Sequence, residues 1–240
     1  NILATMRSMS AQEILDLDHS VALIVDGWLF EQDPIETFRK GEHNNVPIIS
    51  GYNDGEGLMM VRPANAPSSL REQRDRRSDQ LGALGKELID FYVADAAVNI
   101  YDKEVDYSSD SVFVRASREL GLAGARVGQR DSYLYVFERN PNDPTQRASH
   151  FMEVPYVFNN LPMQASSEDK ELAELINDYW VQFAKTGSPN GSGLPAWPVY
   201  DLENKRHQIL DIEISQGEND RKAELDLMDV YIRDTYRSSN

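Results

Sequence analysis

The sequence of 240 residues contains no cysteine, and it is short of basic side chains. The first shortage excludes disulfides, thiolate zinc sites and cysteine nucleophiles, although it leaves the compartment of the protein open. The shortage of basic residues is large, since 24 Lys and Arg residues against 40 Asp and Glu residues give a formal net charge of −16. A surface of this sign repels the phosphate backbone, so we expect no nucleic acid among its partners.

Long apolar runs are also missing. No stretch reaches the roughly 18 uncharged apolar residues that a membrane-spanning helix needs, so we expect no membrane span. The amino terminus, Asn1 to Arg7, has neither an initiating methionine nor the basic-then-apolar pattern of a signal peptide. We therefore expect a further segment to precede it. A length of 240 residues favours one domain, or part of one, and no internal repeat is visible.

Three short apolar runs bounded by Asp, Gly, Asn or Pro predict strands: Val21 to Val25, Val46 to Ser50 and Tyr133 to Phe137. The second and third runs are nearly free of charge, which is typical of strands covered on both faces of a sheet. Helical spacing between them predicts helices over Lys86 to Tyr101 and Ser111 to Ala123, the latter with Asp110 as N-cap.

Apolar spacing in the carboxyl-terminal third of the sequence predicts two further helices. Apolar residues from Glu168 to Thr186 recur with helical spacing, with Ser166 or Ser167 available as N-cap and Gly187 able to end the helix. A loop rich in Pro, Gly and Ser and a hairpin-like stretch follow. The last amphipathic helix has as its apolar residues Leu225, Met228, Tyr231 and Ile232. The arginines at 71, 74, 76 and 77 are interpreted as a solvated or ion-paired face.

Of the four histidines, three have polar neighbours and are predicted to be exposed loop residues: His19, His43 and His207. His150 differs, because it follows a buried-looking strand and precedes the apolar run Val154 to Phe158. Catalytic groups of α/β proteins lie beyond the carboxyl ends of strands. Taken alone, His150 still fits a hydrogen-bonded structural histidine better than a catalytic one.

A candidate acid follows the second predicted strand, where the chain enters a turn with three glycines. We expect these glycines to allow a sharp turn. The carboxylate of Glu56, between Gly55 and Gly57, could accept a hydrogen bond from a histidine ring and hold its tautomer. A plain surface turn and an Asp/Asn-rich calcium loop are the alternatives, although the oxygen ligands lack the spacing of an EF-hand.

Together these segments resemble the type-B carboxylesterase and cholinesterase family of α/β-hydrolases. VPIISGYNDGEG, ending at Gly57, is similar to the family's acid motif, and ASHFMEVPYVF, starting at Ala148, is similar to its histidine motif. WVQFAKTGSPN with the later Trp197-Pro198 resembles the closing signature. Two stretches, Met6 to Leu15 and Val25 to Gly27, resemble the approach to the acid motif. The resemblance runs from about Met6 to Tyr231.

The resemblance implies an α/β fold, with a mostly parallel central sheet flanked by helices, of which this chain is the carboxyl-terminal part. It also implies hydrolysis of small-molecule carboxylic esters by a Ser/Glu/His triad, with Glu56 as acid and His150 as base. No Gly-x-Ser-x-Gly occurs in the chain. The serine and oxyanion hole are therefore expected in a missing N-terminal part, held by a large interface. Neither a metal nor an organic cofactor is implied.

Residues near the acid and the base are candidate walls of the substrate pocket: Met59, Met60 and Phe151. Phe151 occupies a position where the family usually has a small residue, which leaves the shape of the pocket open. Arg147, at a position where glycine is common, is expected to matter little for mechanism. Two other readings remain, a non-catalytic cholinesterase-like adhesion or scaffold domain and an independent domain whose acidic surface binds basic partners.

Overall fold

The structure is a computed structural model that describes residues 2–17, 24–92, 99–128, 130–218 and 221–238, without the side chains of 78–84, 222 and 232–238. Within the described residues there are four strands: β1 Ile48–Asn53, β2 Ser132–Phe137, β3 His207–Leu210 and β4 Ser215–Gly217. Its α-helices are α1 Ile2–Ser8, α2 Ala11–Leu15, α3 Pro34–Lys40, α4 Leu70–Tyr92, α5 Ile100–Ser109, α6 Arg115–Val127, α7 Val154–Val157, α8 Ser167–Thr186 and α9 Lys222–Ser238. Two 3₁₀ turns cover Glu56–Met59 and Pro63–Asn65, and a π-helical turn covers Asp110–Val114.

The strands form one sheet in the order β1-β2-β3-β4. The first three are parallel, and β4 returns antiparallel to β3 as the predicted hairpin. The register from Ile48 opposite Ser132 to Asn53 opposite Phe137 makes β1 and β2 end side by side. Whatever follows these two strands therefore lies at the same edge of the sheet, as parallel pairing requires.

Helices cover both faces of the sheet. On one face α8 packs through Leu172, Ile176 and Tyr179 against β2 and Trp197, whose indole N–H donates to the carbonyl of Leu134 at 3.1 Å. On the other face α6 and α9 bury Leu122 and Leu225 against β2. This three-layer arrangement confirms the predicted α/β fold with a mostly parallel sheet.

Several predicted elements are confirmed, with shifts of a few residues at their ends. The second and third predicted strands are β1 and β2. In α8, the hydroxyl of Ser166 accepts from the Asp169 N–H at 3.0 Å, and Gly187 closes the helix in the left-handed conformation at φ 79°. Helix α9 buries Leu225 and Met228. The side chain of Ile232 is outside the described residues.

The predicted helix from Lys86 to Tyr101 is wrong. Its first half ends α4, residues 93–98 lie outside the described residues, and a new helix starts at Ile100. Asn99 has an extended backbone, and its side chain accepts from the Tyr101 N–H at 3.0 Å. An N-cap of this kind begins a helix and therefore cannot lie inside one.

Asp110 is not the predicted N-cap, because its backbone is helical, at φ −65° and ψ −44°. The chain stays helical from Ile100 through the π-helical turn to Val127, and the buried carboxylate pairs with Arg221 at 2.6 Å. His207, predicted in an exposed loop, is buried in β3.

The strand predicted over Val21 to Val25 cannot be assessed in full, since residues 18–23, which include His19, lie outside the described residues. Ile24 and Val25 are exposed and belong to no strand. The arginine cluster is ion-paired as predicted, through Arg71 with Asp75, Arg74 with Asp90, Arg76 with Glu72 and Arg77 with Glu104. None of the helices in the described ranges combines the length and the apolar character that a membrane-spanning helix requires.

Candidate active site

The acid segment begins where β1 ends. Glu56 starts a 3₁₀ turn, and its side chain is buried, with 4% of the residue exposed, so the plain surface turn is excluded. The chain turns at Asp54 and Gly55, as expected, and the glycines also allow close approach. A Cβ on Gly55 would lie 2.8 Å from the carbonyl oxygen of Ala148, and one on Gly57 would lie 2.2 Å from that of Val105. Because Val105 belongs to α5, only a glycine at position 57 leaves room for the helix this close to Glu56.

His150 lies in the turns that follow β2, beside the acid segment. Its Nδ1 lies 2.5 Å from Oε2 of Glu56, within hydrogen-bonding distance. An ionised carboxylate can only accept, so the proton of a neutral ring is placed on Nδ1 and Nε2 is left as an acceptor. The imidazole is still 22% exposed, whereas the carboxylate is enclosed. The geometry thus pairs a buried carboxylate with a partly accessible imidazole.

A second interaction holds Glu56 from the other side, since its Oε1 accepts from the backbone N–H of Asn53 at 3.0 Å. The buried side chain of Asn53 donates to the carbonyl of Ser149 at 2.8 Å and to Oε2 of Glu153 at 2.6 Å. This single amide therefore joins the acid segment to the residues on both sides of His150.

The acid and histidine segments are also hydrogen-bonded to each other through their backbones. The N–H of Gly55 donates to the carbonyl of Ala148 at 2.9 Å, and the N–H of Ala148 donates to Oδ1 of Asp54 at 2.6 Å. Arg147 adds a bond from Nε to the carbonyl of Asp54 at 2.8 Å and an ion pair with Asp106 at 2.8 Å. Burial raises the pKa of Asp54 to about 6, against the opposing effects of the Ala148 N–H and Arg147.

Two aromatic rings contact the imidazole of His150. The ring centroid of Phe113 lies 4.7 Å from that of His150, and the ring centroid of Phe151 lies 4.0 Å from it. Phe151 is 65% exposed, and the other two candidate wall residues, Met59 and Met60, are 56% and 41% exposed. None of the three is a core residue of the described chain. The contact with His150 places Phe151 at the site.

The sequence does not predict the contact of Phe113 with His150, the bond between Asp54 and Ala148, or the contacts of Arg147, a residue expected to matter little for mechanism. Phe113 lies 37 positions before His150 on a helix, and no local pattern connects the two. Asn53 and Glu153 belong to the motifs that carried the resemblance, but their bond to each other depends on the pairing of β1 with β2. Among the described residues, no group of three or more His, Asp or Glu side chains could hold a metal ion.

Comparison with known proteins gives a consistent result. The sequence pattern of the "Carboxylesterase family" matches residues 1–228. Para-nitrobenzyl esterase of Bacillus subtilis is 29% identical over 227 residues, covering 91% of this chain and 44% of that protein. Carboxylesterase 5A of Canis lupus familiaris is 28% identical over 258 residues, covering 94% of this chain and 44% of that protein.

Solved structures agree with these sequence relatives. A carboxylesterase of Geobacillus stearothermophilus superposes with a TM-score of 0.75 at 26% identity, covering 94% of this chain and 50% of that one. The chain thus spans about half the length of the relatives it matches. With a family pattern over nearly its whole length and the same fold in solved relatives, the chain belongs to the carboxylesterase family of α/β-hydrolases.

Proposed function

We propose that this chain supplies the acid and the base of a Ser/Glu/His triad that hydrolyses carboxylic esters through an acyl-enzyme. The observation that carries the proposal is the 2.5 Å contact between Nδ1 of His150 and the buried carboxylate of Glu56. The other ring nitrogen, Nε2, is then the acceptor that a serine hydroxyl needs. The serine and the oxyanion hole belong to an N-terminal part outside residues 1–240.

In this mechanism His150 takes the proton of the serine hydroxyl as the oxygen attacks the ester carbonyl. It returns the proton to the leaving alcohol, and then activates the water that releases the acid. Glu56 stabilises the imidazolium and keeps the proton on Nδ1. The other carboxylate oxygen of Glu56, Oε1, accepts from the backbone N–H of Asn53, which fixes the orientation of the carboxylate. No step calls for a metal or an organic cofactor.

The proposed N-terminal part would bind at the outer edge of β1 and at the exposed apolar side chains near the start of the chain. In the described ranges, no strand pairs with the outer edge of β1. Helices α1 and α2 bury none of their residues, and large apolar side chains near the start of the chain are exposed, including Ile2, Met6, Ile14 and Trp28. An unpaired strand edge and exposed apolar side chains favour a large, core-like interface with the rest of a hydrolase domain.

The substrate pocket of the proposal is walled in part by Met59, Met60 and Phe151. All three are exposed in this chain, and Phe151 is in contact with the base. Thioether side chains adapt to differently shaped apolar groups, so this wall suits a range of small esters.

The test is labelling of the intact protein by a fluorophosphonate, which reacts with activated serine, followed by mass analysis of the labelled peptide. We expect label on a serine outside residues 1–240. In His150→Ala, labelling and turnover of simple aryl esters should fall by about 10³-fold or more. His43→Ala is the matched control and should keep both, since His43 packs against Phe38 on α3.

Normal labelling of His150→Ala would exclude His150 as the base. A folded, unlabelled protein in which no serine reacts would instead favour the non-catalytic scaffold. If residues 1–240 alone fold cooperatively as a monomer and do not react, the acidic binding domain is favoured.

A further inference from the structure

We propose that Phe113 and Phe151 are positioning residues that clamp the imidazole of His150 in the orientation that presents Nδ1 to Glu56. The two ring centroids lie 4.7 and 4.0 Å from that of the imidazole, with interplanar angles of 44° and 50°. The inference rests on the proposed role of His150 as the base, and adds two residues that act through it.

Each ring is brought to His150 by an unusual backbone. Phe113 lies in the π-helical turn Asp110–Val114, which interrupts the α-helical pattern between α5 and α6. Such turns are rare and are frequent at functional sites. Phe151 has φ 70°, in the left-handed region that strongly favours glycine. Strained backbone of this kind is concentrated at active sites.

Packing of the core does not explain the conformation of Phe151. Its side chain is 65% exposed, so burial of the ring within this chain contributes little stability to offset the strain in its backbone. Its ring contacts that of His150, with the centroids 4.0 Å apart. A glycine at this position would relieve the strain and leave one side of the imidazole uncovered.

A clamp of two rings has a direct consequence for catalysis. Glu56 fixes one atom of the imidazole, and a single hydrogen bond leaves the ring free to swing about it. Contacts from Phe113 and Phe151 limit that motion, so Nε2 stays aligned with the serine. Ring faces also attract the imidazolium that forms when the serine loses its proton.

The kinetic test uses the intact enzyme with Phe113→Leu and Phe151→Ala. Each should lower kcat about 3- to 10-fold, the range expected for loss of one aromatic contact. KM of a small aryl ester should change by less than about twofold in Phe113→Leu, whereas Phe151→Ala also removes a proposed wall of the substrate pocket and should raise KM as well. Phe113→Tyr keeps the ring and should restore kcat. Phe158→Ala is the control, since Phe158 is an exposed phenylalanine at φ −91° and should leave kcat unchanged.

Comparing glycine with alanine at position 151 separates the effect of losing the ring from the effect of backbone strain. Phe151→Gly should lose as much kcat as Phe151→Ala, because both lack the ring. It should unfold about 2 °C higher than Phe151→Ala, because only glycine is relaxed at φ 70°. Phe151 is exposed, so this pair remains usable even if Phe113→Leu does not fold.

A spectroscopic measurement tests the clamp without activity. The downfield proton NMR signal of the hydrogen-bonded Nδ1–H, assigned by its loss in His150→Ala, should be sharp in the wild type. It should be broadened in Phe113→Leu and Phe151→Ala. An unchanged signal, with kcat within twofold of wild type, would overturn the clamp while an inactive His150→Ala still supports the proposed function.

The remaining outcomes are also decisive. A higher KM with unchanged kcat in both variants would make the two rings substrate contacts only, with no positioning role, and would overturn the inference. If His150→Ala keeps its turnover, the proposed function fails, and the Nδ1–H signal alone then decides whether the rings hold the imidazole.

Discussion

Gly57 shows at the scale of a single residue how closely the acid is packed. Its N–H donates to the hydroxyl of Ser109 at 2.8 Å, and a Cβ would lie 2.2 Å from the carbonyl oxygen of Val105. A backbone oxygen in a helix cannot move aside as the end of a flexible side chain can. The space beside Glu56 is therefore available to glycine alone.

Gly57→Ala should destabilise the protein by about 1–3 kcal/mol, the usual cost of overpacking, and should lower ester turnover by displacing Glu56. Urea unfolding and kcat measure the two effects. Gly191→Ala is the matched control, because its Cβ would meet only the flexible side chain of Gln182, at 3.2 Å. Wild-type stability and turnover in Gly57→Ala would contradict the packing argument.

Asp54 makes stability depend on pH. Burial raises the pKa of this carboxyl to about 6, above its value of about 3.9 in an unfolded chain. Between these two pH values the folded state binds more protons than the unfolded state. The contribution of Asp54 to stability is thus fully present below about pH 4 and is lost as pH rises through about 6.

Asp54→Asn should remove this dependence, because its amide oxygen can still accept from the Ala148 N–H and carries no charge. Thermal unfolding of both proteins from pH 4 to pH 7 is the measurement. The variant should gain stability relative to wild type as pH rises. If the two profiles stay parallel throughout this range, Asp54 does not titrate with the raised pKa.

At the scale of elements, one ion-paired group joins α5, the π-helical turn and the start of α9. Arg221 pairs with Asp110 at 2.6 Å and with Asp106 at 3.3 Å, and Asp106 pairs in turn with Arg147 beside His150. The hydroxyl of Tyr92 donates to Asp110 from α4. The elements behind the histidine segment are thus held together by charge as well as by apolar packing.

Arg221→Met should cost about 3–5 kcal/mol, because it leaves the buried carboxylate of Asp110 without its cation. The double variant Arg221→Met with Asp110→Leu should recover much of that loss. Arg71→Met is the control and should change little, since Arg71 and Asp75 are largely exposed and 3.7 Å apart. Chemical denaturation checks all three. A near-neutral Arg221→Met would show that the pair adds no net stability.

The elements also show why some predictions succeeded. Helix α8 is specified locally, since Ser166 and Gly187 stand at its ends and its apolar spacing matches one face. The helix expected over Lys86 to Tyr101 had the same kind of spacing, but Asn99 begins a new helix inside it. Asp110 has the side chain of an N-cap, yet its pairing with Arg221, 111 positions later, keeps it buried in a continuing helix.

At the scale of the whole molecule, the candidate site joins residues that are far apart in sequence. Glu56 and His150 are separated by 94 positions, and they meet because β1 and β2 are parallel neighbours that end together. The chain matches about half the length of its relatives, and the outer edge of β1 is where an N-terminal part would extend the sheet. Under the proposed function, the triad is shared between this chain and that N-terminal part.

The sequence by itself determined the family, the α/β class, the main strands and the pair of candidate residues Glu56 and His150. These depend on short motifs and on local spacing, which can be recognised within each segment separately. Only the tertiary structure decided that Phe113 and Phe151 contact the imidazole, that Asn53 joins the two segments, and that the glycines serve close approach. Such contacts depend on strand pairing and on the path of a helix interrupted by a π-helical turn, and neither is encoded in any single segment.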